Sequence, residues 1–121
     1  KGRRLAGQRR AADAEIEGGT YSDSFRFHPR PLSLDAPSGR LHQTFGDVWE
    51  WTNSAYTAYP GFKVAGGAIG EYNGKFMANQ IVLRGGSAAT PQNHIRPTYR
   101  NFFHAHHKWQ FMGFRLTRDA R

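Results

Sequence analysis

The chain has 121 residues, 38% of them hydrophobic and 14% aromatic, a length and composition that support one core and exclude both a two-domain protein and a disordered chain. Its net charge is +8, yet Lys1, Arg3, Arg4, Arg9 and Arg10 supply five of the positives in an acid-free end, so the excess marks a basic terminus without an accompanying nucleic-acid module. Zero cysteines exclude disulfides, zinc thiolate sites and cysteine nucleophiles, and are compatible with the cytoplasm.

The chain opens at Lys1, which places the expected native amino terminus upstream. It has no signal-peptide pattern and no apolar run of membrane-crossing length. Residues 3–17 favour helix, with Leu5, Ala12 and Ile16 as an apolar stripe that Gly18 and Gly19 stop. Between residues 20 and 40 the prolines Pro29, Pro31 and Pro37 forbid a continuous helix or central strand, which predicts an ordered loop across a core.

Residues 45–51, with Phe45, Val48, Trp49 and Trp51, suit a short buried strand or turn. Residues 81–84 form a clearer strand closed by Gly85 and Gly86, and residues 109–116 another, with Phe111, Phe114 and Leu116 available for burial. The connections 56–80 and 88–108 are long for a small domain, which makes them the places to seek function.

Four segments stand in order along this chain: Gly46-Asp47-Val48-Trp49-Glu50-Trp51-Thr52, Tyr59-Pro60-Gly61-Phe62, Leu83-Arg84-Gly85-Gly86-Ser87 and Gly113-Phe114-Arg115-Leu116. The series resembles the formylglycine-generating-enzyme and sulfatase-modifying-factor superfamily. Residues 70–77, Ala89-Thr90-Pro91 and residues 94–103 narrow the likeness to the carboxy-terminal domain of the ergothioneine-forming sulfoxide synthases, over residues 26–118. The resemblance implies an α+β domain spanning residues 1–121, the carboxy-terminal portion of a lectin-like, formylglycine-generating-enzyme-type domain with short strands and long ordered loops.

It also implies a role in joining a thiol, from cysteine or γ-glutamylcysteine, to hercynine in an O2-dependent reaction. The Fe(II) of that reaction is expected from a helical-bundle domain or partner subunit, since no cofactor and no metal ligand is assigned to this chain. Formylglycine generation itself is disfavoured, because it would call for active-site cysteines. A non-catalytic ligand-binding or structural module of the same fold is the alternative.

By the same resemblance Asn101, Phe102 and Phe103 line the substrate pocket. A quaternary ammonium donates no hydrogen bond and is held by aromatic faces, while an amide suits a carboxylate or imidazole. Tyr72 is assigned to proton transfer and Asn73 to substrate contact, in a loop that Gly70 and Gly74 allow to turn sharply. Arg84, Arg96, Arg100 and Arg115 are expected to pair with Asp47 or Glu50, with Arg96 and Arg100 the candidates for a substrate carboxylate. His104, His106 and His107 read as a solvent-facing turn, with no i, i+4 histidine pair for a helical iron site, and Trp49, Trp51 and Trp109 read as core. Residues 66–70 are Gly-rich but lack the Lys-Ser/Thr ending of a phosphate loop.

Overall fold

A mixed four-stranded sheet organises the computed structural model, which describes residues 16–33, 41–68, 70 and 77–117. Its strands are β1 (Trp49–Ala55), β2 (Gln80–Arg84), β3 (Asn101–His104) and β4 (Met112–Gly113), in the spatial order β3-β2-β1-β4. β2 pairs antiparallel with both β1 and β3, and β4 runs parallel to β1 along the edge. Single turns of 3-10 helix occupy Ser22–Ser24 and Gln92–His94. Few helical residues beside a mixed sheet fit the α+β expectation. The predicted helix over residues 3–17 lies outside the described residues except for its last turn at Ile16 and Glu17.

Register sorts the side chains into two faces, because residues directly opposite one another in a sheet share a face and neighbours along a strand alternate. Trp51 faces Leu83, Leu83 faces Asn101, Ile81 faces Phe103 and Trp49 faces Met112. This face carries the core, in which Leu83, fully buried, packs with Trp49, Tyr21 and Ile95, while Trp51, Phe103, Tyr99 and Met112 close around them. The other face carries Glu50, Val82, Arg84, Phe102 and His104. A bulge between Trp51 and Ala55 breaks the β1–β2 ladder, and there the Thr52 hydroxyl donates to the Val82 carbonyl at 2.9 Å.

Residues 20–33 of the predicted loop lie over the core as expected, and residues 34–40, with Pro37, lie outside the described residues. The loop backbone is tied down by Asp47 N–H to Thr20 O (2.9 Å), Ser22 N–H to Thr90 O (3.1 Å) and Gln92 N–H to the Asp23 carboxylate (2.7 Å). Asp47, buried, also accepts the Arg30 N–H at 2.7 Å and faces the Arg30 guanidinium at 3.7 Å.

Residues 45–51 are both turn and strand: 45–48 form bends, with positive φ at Gly46 and Asp47, and the strand begins at Trp49 and runs on to Ala55. Two sequence expectations are corrected. The connection 88–108 contains β3. Within residues 109–116 only Met112–Gly113 pairs, and Phe114 and Leu116 are 72% and 91% exposed, because a two-residue parallel edge offers no second layer to bury them.

Tyr21 gives the core a pH dependence. Burial, aided by the negative charge of Asp47, pushes its phenol up to about 12, and its hydroxyl has no hydrogen-bond partner. A raised phenol keeps its full contribution below the unfolded value of about 10 and loses it as pH climbs, so about 2–3 kcal/mol of stability should disappear between pH 10 and 12. Tyr21→Phe should flatten that decline in urea unfolding while leaving stability at pH 7 unchanged or slightly higher. A decline as steep as the wild type's would disprove the assignment.

Candidate functional site

On the core side of the sheet an open cleft of ≈ 520 Å³ runs beside Trp49, with Trp109, Gln110 and Phe111 along one wall and Ser87 and Thr90 along the other. Each wall is built locally. Gly85 and Gly86, at φ 97° and 82°, turn the chain sharply out of β2. The turn that follows is closed by Ser87 N–H to Thr90 Oγ1 (3.1 Å) and Thr90 N–H to Ser87 O (2.9 Å), which presents two small hydroxyl residues. Opposite, Trp49 N–H donates to Phe111 O at 2.8 Å, anchoring the 109–111 segment beside β1. Behind it Arg115 joins that segment to the sheet through Glu50 at 2.6 Å and the Gln43 carbonyl at 2.7 Å.

Asn101 and Phe103, on β3, touch two of the residues that line this cleft. The Asn101 amide donates to Gln110 Oε1 at 3.4 Å, and the Phe103 ring meets Trp109 edge-on, centroids 4.9 Å apart. Trp109 is nonetheless 66% exposed, which corrects its assignment to the core: it touches Phe103 and lines the cleft. Lys108 supplies the cationic group of the lining. Lys108 and Gln110 carry no local sequence signal, and Trp109 reads as core, since only the fold brings them beside the Ser87–Thr90 turn.

Phe102 and Arg100 stand on the opposite face. Phe102 stacks on Tyr56 at 4.0 Å with planes 9° apart, and the Arg100 guanidinium lies over Tyr59 at 3.8 Å and Tyr56 at 5.0 Å. Arg96 lies over the Tyr99 ring at 5.3 Å, apart from both groups. Asn101, Phe102 and Phe103 thus divide between two surfaces, because consecutive strand residues point opposite ways. Tyr72 and Asn73 lie outside the described residues. Of the four arginines expected to pair with Asp47 or Glu50, only Arg115 does so; Asp47 pairs with Arg30, which its place in the overlying loop brings near.

The three histidines after β3 gather closely, with His104 and His106 centroids 5.5 Å apart and His106 and His107 4.6 Å apart. His104 Nδ1–H donates to Asn79 O at 3.2 Å while its Nε2 accepts from the Gln80 amide at 3.0 Å, so neither nitrogen has a lone pair to offer a metal. Loss of water around it, then the neighbouring His106 and His104, holds His107 below the ordinary histidine range. Among the described residues no three His, Asp or Glu side chains converge as a metal site, so the residues at hand do not fit the Fe(II) that the resemblance implies. No helix among them is long and apolar enough to cross a membrane.

Residues 8–120 match the family model described as a sulfatase-modifying factor enzyme 1-like domain. Hercynine oxygenase of Mycobacterium tuberculosis is 40% identical over 96 residues, which cover 74% of this chain and 22% of that protein. Hercynine oxygenase of Mycolicibacterium smegmatis is 38% identical over 102 residues, 75% of this chain and 23% of that one. Ergothioneine biosynthesis protein 1 of Neurospora crassa is 28% identical over 95 residues, 77% of this chain and 11% of that one. The chain therefore spans less than a quarter of the length of each of these relatives.

Proposed function

We propose, since this chain belongs to the sulfatase-modifying factor enzyme 1-like family and resembles the carboxy-terminal part of a sulfoxide synthase, that it forms the substrate-binding wall of an enzyme of ergothioneine biosynthesis. The substrate is hercynine, and the reaction is an O2-dependent joining of its imidazole to the thiol of cysteine or γ-glutamylcysteine. The lectin-like fold of the family and a cytoplasmic location belong to the same proposal. Fe(II) would be held by a helical-bundle domain or partner subunit, and no step is assigned to this chain through it.

The observation that carries the proposal is the aromatic cleft. Trp49, Trp109 and Phe111 line it, Gln110 supplies an amide, and the Asn101 amide donates to Gln110 from β3. A trimethylammonium group is attracted to ring faces by about 0.5–2 kcal/mol, and an amide pair discriminates the imidazole and carboxylate ends of the same molecule. Phe103 sets the angle of Trp109 by edge-on contact. Tyr72, as the proton-transfer residue, and Asn73, as a substrate contact, belong to the same proposal, whereas Phe102, stacked on Tyr56 on the opposite face, and Arg96, over Tyr99, stand away from this cleft.

Isothermal titration of hercynine and of unmethylated histidine, with and without an iron-loaded helical-bundle partner, tests this. Trp109→Ala should weaken hercynine by about 2- to 30-fold, the equivalent of one lost cation–π contact, and histidine less. Because Trp109 is mostly exposed, the variant should fold. Equal losses for both ligands would make Trp109 a packing residue, and no hercynine binding in either setting would leave a non-catalytic module of the fold.

A further inference from the structure

We infer that the sheet face opposite the aromatic cleft carries a second binding site, for a small-molecule carboxylate, built on Arg84 and Arg100. Both arginines line one cleft of ≈ 340 Å³ together with Val82, Thr52, Ser54 and Tyr59. Among the described residues no acidic side chain lines it. Two cationic residues on one recess give it a positive potential that favours an anion.

The missing counter-charge has a structural cause. Glu50 is the register partner of Arg84 across β1 and β2, but its carboxylate is taken by Arg115 at 2.6 Å. Arg84 instead spends one nitrogen, Nη1, on the carbonyls of Tyr99 (2.7 Å) and Pro97 (3.3 Å). Arg100 likewise spends Nη1 on the Thr57 carbonyl at 3.0 Å. Neither forms an ion pair among the described residues. Each guanidinium has five N–H donors, so each keeps donors to offer after these bonds.

Those backbone bonds also hold the groups still. Arg100 is further fixed by Tyr59 at 3.8 Å on its plane and by Tyr56, itself locked by stacking on Phe102. A guanidinium with its plane and one edge already ordered loses little further freedom on binding, and its planar fork matches a carboxylate. Buried Val82 and the neutral hydroxyls suit the short carbon chain of such an acid better than a tetrahedral, doubly charged oxyanion. This site stands on a different face from the hercynine cleft and does not depend on that assignment.

The test is an NMR titration of the full chain, following the arginine Nε–Hε signals, with acetate, succinate and inorganic phosphate at constant ionic strength. Succinate or acetate should move the Arg84 and Arg100 signals saturably, and more tightly than phosphate. Arg100→Gln should weaken this by about tenfold or more, the scale of one lost charge-assisted hydrogen bond. Arg100→Lys, which keeps the charge and removes the fork, should fall between the two, and serves if Arg100→Gln does not fold. Arg26→Gln, which removes the same charge from an exposed position elsewhere, should bind as the wild type does. Non-saturating shifts, phosphate binding as tightly as the carboxylates, or unchanged affinity in the Arg100 variants would overturn the proposal.

Discussion

Leu83→Ala should cost the fold about 2–5 kcal/mol, the range found when a buried leucine is truncated and its neighbours close only partly over the gap. Leu83 has no exposed surface, sits in the middle strand pair and faces Trp51 on one side and Asn101 on the other. Trp49, Tyr21 and Ile95 meet on it from the loop and the sheet together, so a void there is lined by large, rigid rings that cannot collapse easily. A loss of this size is a large fraction of the 5–15 kcal/mol that holds a typical domain folded. Urea unfolding measures it directly. A loss under about 1 kcal/mol would show that the rings do not depend on Leu83 and that the core is elsewhere.

Gly46→Ala should be comparably damaging, by about 2–5 kcal/mol, for a reason of backbone and not of burial. Gly46 has φ +74°, and a Cβ placed on it would stand 2.5 Å from Thr20 N and 2.7 Å from Thr20 O. The left-handed conformation costs a side chain about 1–2 kcal/mol, and relieving a collision with fixed backbone adds about 1–3 kcal/mol. Thr20 cannot yield freely, since it is buried and its carbonyl accepts the Asp47 N–H. Gly61→Ala is the control: its φ is +79° but nothing lies within 4 Å of the added carbon, so only the conformational cost remains. Equal losses in the two variants, measured by thermal and urea unfolding, would remove the collision from the account.

The same two neighbourhoods show what the sequence revealed and what it withheld. The Gly46–Thr52 and Leu83–Ser87 motifs identified the family because their glycines answer to backbone geometry, at Gly46, Gly85 and Gly86, that few other residues adopt. β2 was legible from its apolar run closed by a glycine pair. β3 was not, because Asn-Phe-Phe-His shows no alternation and lasts only four residues. β4 was overdrawn for the opposite reason: Phe111, Phe114 and Leu116 carry the apolar spacing of a strand, but no layer covers that edge. The site suffered likewise. Asn101, Phe102 and Phe103 form one tract in sequence and two surfaces in space, and Trp109, aromatic enough to be counted as core, stands open at a cleft that only the pairing of Trp49 with the 111 carbonyl assembles.

Because β3 deals its residues alternately to the two clefts, its alignment against β2 acts as an address. One residue gained or lost between Ile95 and Asn101 would leave a strand of nearly the same composition in the same place, yet would send Phe102 to the Trp109 side and the Asn101 amide to the arginine side. A change that most substitution scales would score as mild would exchange the chemistry of both recesses at once.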